Sequence, residues 1–252
     1  MTGIISVMAL VPAPAVVLRP DGVFGQGKSQ PYARALHLGS GILTLRDVSP
    51  DSAHRLCEVT FDVLSWCSEA GAVERNLLQS LQGPVLDIGC GPGRMLSAAR
   101  SLGLSAMGID ISADAVALAC SRGTRALEQS VFSPVPQAGS WCSVLLLDGN
   151  IGIGGNVARL LRRCRQLIAP HGTLLVEADP DDDMDASYQA VLEDSDGNRS
   201  EPFAWARTGR RGVEARALAA GWTLAPTERL QGRVFCRLSP FPDRVRPVRS
   251  TA

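Results

Sequence analysis

From residue 84 onward the apolar positions alternate between two periods. PVLDIG (84–89) is a short apolar run with the signature of a buried strand; Met95, Ala99 and Leu102 then recur at a spacing that puts them on one face of a helix, with Pro92 at its first turn. SAMGID (105–110) is a second strand, and Ser112 caps a helix with Val116 and Cys120 turned inward. A short strand follows around 124–128. SVLLLDG (143–149) is apolar throughout, which predicts cover on both faces. Asn156 caps a helix carrying Val157, Leu160, Leu161, Cys164 and Ile168 on one side; the APHG turn (169–172) ends it, and TLLVEA (173–178) is the fifth strand. Strand and helix in alternation predict an α/β fold with a parallel sheet wound on both faces.

The flanks read differently. ILTLR (42–46) and CEVTFDV (57–63) have strand patterns, Val59 and Phe61 alternating with Thr60 and Asp62, and DVSPDSAH joins them as a small hairpin. Ser68 is expected to cap a helix over 68–82. In the last third, YQAVLE and PFAWAR flank a DSDGN turn, a helix lies near 211–220, and WTLAPTERL and RVFCRL surround a Gln-Gly turn, which adds a terminal antiparallel pair. Three regions follow: an N-terminal arm and hairpin (1–67) acting as a cap over a substrate, a main domain (68–240), and a mobile tail (241–252) rich in Pro and Arg.

The candidate chemistry lies in VLDIGCGPGRM (85–95). In an open parallel sheet, ligands bind beyond the carboxyl ends of the strands, where strand order reverses. Glycines at 89, 91 and 93 let the backbone approach a ligand closely, and the N–H groups at the following helix start favour a negative group. Asp110 ends the next strand, where a carboxylate accepts hydrogen bonds from both hydroxyls of a ribose. These features together indicate an adenosine-containing cofactor. The glycines are spaced GxGxG, not the GxGxxG of dinucleotide sites, so a nicotinamide cofactor is disfavoured.

LDIGCGPGR (86–94), GIDIS (108–112), the fourth-strand segment and LLRRCRQLIAPHGTLLVE (160–177) resemble the class I S-adenosylmethionine-dependent methyltransferases. The resemblance covers roughly 70–178 and extends more loosely to the C-terminal hairpins. It implies a Rossmann-like fold, a mostly parallel seven-stranded sheet with an antiparallel C-terminal strand pair and added hairpins. It also implies that Asp87 holds the cofactor's amino group, that Gly89, Cys90, Gly91 and Gly93 form the wall against its methionine part and sugar, and that Ile111 lies against the adenine. An Asp-plus-apolar pair that the family often carries after its third strand is replaced here by Ser130-Val131. The loop after strand four, DGNIGIGG (148–155), adjoins the transferred methyl group in the family. Asp148 and Asn150 are therefore the candidate catalytic residues, Asp148 also touching the cofactor, with His37 a distant second as a base. The backbone from Gly154 to Asn156 would receive an anionic group, and Trp66, Phe203, Trp205 and Arg207 would roof the substrate.

The implied activity is methyl transfer to an O, N or C nucleophile of a small metabolite. The alternatives are a methyltransferase of protein or RNA, and a catalytically silent cofactor-binding module. Equal numbers of basic and acidic residues, 25 each, and the absence of an NPPY or DPPY motif argue against a nucleic-acid partner. An acidic run, Asp179, Asp181, Asp182, Asp183 and Asp185, follows strand five; some small-molecule O-methyltransferases hold a divalent cation with carboxylates after strands four and five, and Asp148 with Asp179 or Asp181 would copy that, but a solvated acidic loop is the simpler reading and no metal is expected. Seven cysteines without zinc spacing predict reduced thiols and a cytoplasmic protein, the Cys90 thiol serving as a small apolar group. Residues 4–18 are apolar but interrupted by Pro12 and Pro14 and too short to span a bilayer, so no membrane partner is expected.

Overall fold

The computed structural model describes residues 22–49 and 58–242. The expected N-terminal arm before residue 22, residues 50–57, which hold most of the first hairpin's connection with His54 and the first residue, Cys57, of its expected second strand, and the tail after 242 lie outside the described residues. The chain begins with helix α1 (Pro31–Leu38), strands β1 (Ile42–Asp47) and β2 (Val59–Asp62), and helices α2 (Val63–Cys67) and α3 (Ala72–Gln79). The alternating core follows: β3 (Val85–Ile88), α4 (Arg94–Ser101), β4 (Ala106–Asp110), α5 (Ala113–Ser121), β5 (Ala126–Glu128), β6 (Trp141–Leu146), a 3-10 segment (Asn150–Gly155), α6 (Val157–Leu167) and β7 (Ile168–Ala178). The remainder is β8 (Asp185–Asp194), β9 (Phe203–Thr208), α7 (Arg210–Ala219), β10 (Trp222–Leu224), β11 (Glu228–Leu230) and β12 (Arg233–Pro240).

The large sheet has the order β10-β12-β7-β6-β3-β4-β5, with β11 paired to β12. Strands β3 to β7 pair in parallel and β12 runs antiparallel to β7. Alternate residues feed two cores. Leu86, Ile88, Val144, Leu146, Leu174 and Val176 pack on one face with α6 and α7 residues. Val85, Leu145, Leu147, Leu175 and Phe235 pack on the other with Leu77, Leu78, Met95 and Ala99. Burial on both faces is what the continuous apolar runs require. Strand β3 has β4 on one side and β6 on the other, so strand order reverses at its carboxyl end, and a crevice opens there.

A second, wholly antiparallel sheet, β2-β1-β8-β9, unites the two predicted hairpins. Leu43, Leu45, Tyr188, Ala190, Leu192, Phe203 and Trp205 form its core with Tyr32, Ala35 and Leu36 of α1. It docks on the large sheet through the 3-10 segment. A Cβ on Gly152 would stand 2.2 Å from the Ala206 carbonyl oxygen, so only glycine permits that approach.

Several local expectations are corrected. The helix expected over 68–82 with Ser68 as its cap is only α3 (Ala72–Gln79); Ser68 instead closes a short preceding helix, α2 (Val63–Cys67). Asp62 Oδ1 accepts from the Leu64 N–H at 3.0 Å and opens α2, the Ser68 N–H and hydroxyl donate back to Leu64 and close it, and α3 starts after Gly71, whose N–H donates to Glu74. Ser112 does cap α5 and Val116 packs partly inward as expected, but Ala115 and Ala119 form the buried face and Cys120 is exposed. Small residues are needed there because α5 rides against Gly93, where a Cβ would lie 2.9 Å from that of Ala119. The APHG segment is not a separate turn. It lies within β7, where Trp141 pairs with Ile168 but Ser143 pairs with Thr173, so the extra residues bulge outward. Ser239 and Pro240 are the last residues of β12 and pair with Thr223 and Trp222.

Candidate functional site

The loop after β3 is pinned from both sides. The N–H groups of Gly89 and Cys90 donate to the Ile109 carbonyl, at 2.8 and 3.1 Å. Asp110, buried at the end of β4, accepts from the Gly91 N–H through Oδ2 and from the Ser112 N–H through Oδ1, both at 2.9 Å. Burial raises its pKa, and these backbone donors oppose that shift. Gly91 has φ +52°, and a Cβ there would project toward the Tyr32 hydroxyl, 3.5 Å away. At Gly89 a Cβ would collide with Asn150, 2.6 Å from its Nδ2. Asn150 uses that close approach to donate to the carbonyls of Ile88 and Gly89, each at 3.0 Å. The Cys90 thiol is buried and packs against Gly108, its pKa pushed upward by loss of solvent, so it remains protonated.

Asp87 stands in the middle of β3, 3% exposed, at the base of the crevice. Among the described residues no donor is within hydrogen-bond reach of its carboxylate. Burial first, and then the charge of Asp148, push its pKa up to about 7, with Arg94 opposing. A buried carboxyl left without a donor is costly on its own. It is a ready partner for a cationic ligand group.

Behind Asp148 lies an ionic network that sequence patterns did not disclose. Arg94 donates to Asp148 (2.6 Å) and Glu74 (3.0 Å). Arg233 makes two bonds of 2.7 Å to Glu177, contacts Asp148 at 3.3 Å, and also pairs with Glu74. Glu177 in turn accepts from the Asp148 N–H at 2.8 Å, fixing a residue with φ +53°. Burial works to raise the pKa of Glu74, but the Arg233 hydrogen bond and the Arg94 charge outweigh it and hold the carboxyl below its ordinary value.

Asp87, the glycine loop, Arg94 and Asp148 line a cavity of about 580 Å³ that reaches to the antiparallel sheet. Segment 22–30 crosses its upper side, with Gln26 Nε2 donating to the Ile111 carbonyl at 3.4 Å. Asp87, Gly89, Cys90, Gly91, Asp110, Ile111, Ser130, Val131, Asp148 and Asn150 all border this one cavity, whereas Gly93 supports the loop from behind by its contact with Ala119. Ser130 Oγ accepts from the Phe132 N–H at 3.2 Å, and Val131 is buried. Asp148 reaches the cavity wall with its carboxylate bound to Arg94 and Arg233, and Asn150 is bound to the loop carbonyls. Neither is a free acid or base. His37 is exposed on α1 beside Asp114, 3.1 Å away.

Of the expected roof, Trp66, Phe203 and Trp205 border the cavity, while Arg207 turns away and binds Asp179. Phe24, Tyr32 and Phe61 complete the roof. Phe24 and Tyr32 lie in the first forty residues, where no periodic pattern marked them. Near Gly154 the anion reading weakens. Asn156 Oδ1 already caps the Arg159 N–H at 2.9 Å, and the Arg159 guanidinium lies 4.1 Å over Phe132. Four acids of the run pair with arginines, Asp179 with Arg207, Asp182 with Arg210 and Arg229, Asp183 with Arg211 and Asp185 with Arg216, while Asp181 accepts from the Asp183 N–H. Among the described residues no His, Cys, Asp and Glu group of three or more could hold a metal ion, and no helix is long and apolar enough to cross a membrane.

The fold recurs in solved proteins. A SAM-dependent methyltransferase from Bacteroides fragilis, in complex with S-adenosyl-L-homocysteine, superposes with TM-score 0.68 at 21% identity, covering 89% of this chain and 98% of that one. The CcbJ methyltransferase from Streptomyces caelestis gives 0.54 at 13% identity, over 70% and 92%. The 1,6-didemethyltoxoflavin-N1-methyltransferase from Burkholderia thailandensis gives 0.51 at 17% identity, over 71% and 81%. No curated protein sequence matches the chain. Residues 66–222, more than half of the sequence, match the family described as a methyltransferase domain. Together with the reversed strand order at β3, the glycine loop and the donor-free Asp87, this match establishes that the chain belongs to the class I S-adenosylmethionine-dependent methyltransferases.

Proposed function

We propose that this enzyme methylates a small molecule held between the glycine loop and the antiparallel sheet, and that the second sheet and segment 22–30 form its cap. The observation that carries the reading is the roof: the single cavity of about 580 Å³ that contains the cofactor residues continues under Phe24, Phe61, Trp66 and Trp205, and its total volume lies within the range of roughly 300–1,000 Å³ common for small-molecule sites. The B. thailandensis neighbour, solved with the small compound 1,6-didemethyltoxoflavin bound, supports the same class of acceptor.

When bound, S-adenosylmethionine supplies a methyl group on a sulfonium: the acceptor's lone pair forms the new bond to carbon, the carbon–sulfur pair stays on sulfur, and any proton on the acceptor atom leaves to water. The residues present fit this group. Asp87 offers an unpaired buried carboxylate to the amino group, and the bare edge at Gly91 leaves space for the chain and sugar. Asp110 retains lone pairs for ribose hydroxyls while its backbone donors hold it still. Ile111, Ser130 and Val131 are assigned to the adenine side. Asp148 and Asn150 act as positioning residues: Asn150 holds the loop carbonyls, and Asp148 anchors Arg94 at the start of α4. Alignment of the acceptor and exclusion of water are then the chain's main contributions.

Incubating the protein with labelled S-adenosylmethionine and a metabolite extract tests the proposal. The expected result is a small product one methyl heavier, with stoichiometric S-adenosylhomocysteine. Label entering only protein or RNA, or cofactor binding without turnover in any extract, would overturn it.

A further inference from the structure

The roof over the cavity is aromatic and carries no charged side chain. Phe24 is the hub: its ring centroid lies 5.3 Å from Tyr32, 5.2 Å from Phe203 and 5.1 Å from Trp205. Tyr32 meets Trp66 at 6.0 Å, and Trp66 meets Phe61 at 5.2 Å. The six side chains come from four places in the chain, namely segment 22–30, helix α1, the β2–α2 junction and β9, and all six border the cavity. Edge-to-face contacts of 84° for Phe24–Tyr32, 84° for Tyr32–Trp66 and 88° for Phe203–Trp205, with tilted contacts from Phe24 to Phe203 and Trp205 and from Phe61 to Trp66, join them into one continuous wall.

The charged groups bordering the cavity are elsewhere. Asp87 and Asp110 belong to the floor, Arg94 and Asp148 neutralise each other, and Arg159 lies over Phe132 on the β5 side. The partly buried rings of Phe24, Phe61 and Trp66, backed by the buried Tyr32, Phe203 and Trp205, therefore offer ring faces and edges, which favour another planar ring in offset or edge-on contact. It offers no counter-ion for a formal charge, and desolvating one there would be costly.

We infer that the methyl acceptor is an uncharged planar aromatic compound, such as a fused bicyclic phenol or nitrogen heterocycle, held against the wall of Phe24, Tyr32, Phe61, Trp66, Phe203 and Trp205. The inference rests on the cavity being a small-molecule methyltransferase site and adds the acceptor's class. Trp66 and Phe61 are the specificity-determining members accessible to test, because both are only partly buried and, unlike Phe24, neither is the hub of the ring contacts.

The full chain is first titrated with S-adenosylhomocysteine, then, loaded with it, with 2-naphthol, quinoline, cyclohexanol, hexylamine and N-methylquinolinium. Calorimetry is expected to give dissociation constants for 2-naphthol and quinoline at least tenfold below those of the two aliphatic compounds. Trp66→Leu and Phe61→Leu should each reduce that preference several-fold while leaving the S-adenosylhomocysteine constant unchanged. Equal affinity for aliphatic and aromatic probes, tighter binding of the cationic N-methylquinolinium than of quinoline, or an undiminished preference in both variants would overturn the inference. Failure of the unloaded chain to bind S-adenosylhomocysteine would instead sink the underlying reading of the site.

Discussion

Replacing Asp87 by asparagine removes a buried negative charge while keeping the side chain's size. In the unliganded protein the carboxyl has a pKa of about 7 against an ordinary 3.8. A folded pKa above the unfolded one means that the native state binds the proton more tightly. The associated stability is fully present below pH 4 and is lost as pH rises toward 7 and above. The gap between 3.8 and about 7 corresponds to ~4 kcal/mol at full ionisation. The carboxyl borders a cavity, so water and local rearrangement relieve part of this cost, and ~2 kcal/mol is the working expectation. Asp87→Asn should therefore raise the melting temperature at pH 8 by ~4–8 °C, the range expected for a chain of this size. The gain should vanish near pH 4. Thermal denaturation of both proteins without cofactor, from pH 4 to pH 8, measures it directly. If the variant is less stable at pH 8, or its stability difference does not change with pH, Asp87 is not the buried unpaired carboxylate described here. The same substitution should abolish most cofactor affinity, so the residue that weakens the empty protein is the one that binds.

Cofactor affinity itself should depend on pH: Asp87 must be ionised to pair with an ammonium group, so with its pKa near 7 the dissociation constant for S-adenosylhomocysteine should be ~30-fold higher at pH 5.5 than at pH 8, and flat in Asp87→Asn, by calorimetry. Gly91→Ala places a methyl group toward Tyr32 at φ +52°; it should cost ~1–2 kcal/mol of stability and weaken S-adenosylhomocysteine binding by ~10-fold or more, readable in one thermal-shift titration. Arg233→Met leaves Glu177 without its bidentate partner and loosens Asp148; urea denaturation should show a loss of ~3 kcal/mol, with Arg233→Lys recovering part. Gly152→Ala forces a Cβ to 2.2 Å from the Ala206 carbonyl; it should destabilise by ~2–3 kcal/mol and hasten proteolysis of the antiparallel sheet.

The parallel core was legible because each of its strands is an apolar run and each helix shows a single apolar stripe. Val144, Leu145 and Leu146 are all fully buried, as a strand covered on both faces demands. The Gln231-Gly232 turn was legible for a similar local reason, both residues having positive φ. The union of two hairpins into one sheet was not, because pairing β1 with β8 joins Leu45 to Leu192 across most of the chain, and nothing local encodes that contact. The glycine loop and Asp110 could be read from spacing. The engagement of Asp148 could not, since its partner Arg233 comes from the C-terminal hairpin. Phe24 and Tyr32 escaped notice because they belong to a segment whose order comes from tertiary contact with Trp205 and Trp66 rather than from periodicity.

A crystal structure of the full chain with S-adenosylhomocysteine tests the central claim most directly. The account predicts the nucleoside in the crevice at the carboxyl end of β3, its amino group within hydrogen-bond distance of Asp87 and its ribose hydroxyls on Asp110, beneath the aromatic roof. A ligand bound outside that crevice, or with its amino group turned away from Asp87, would contradict it.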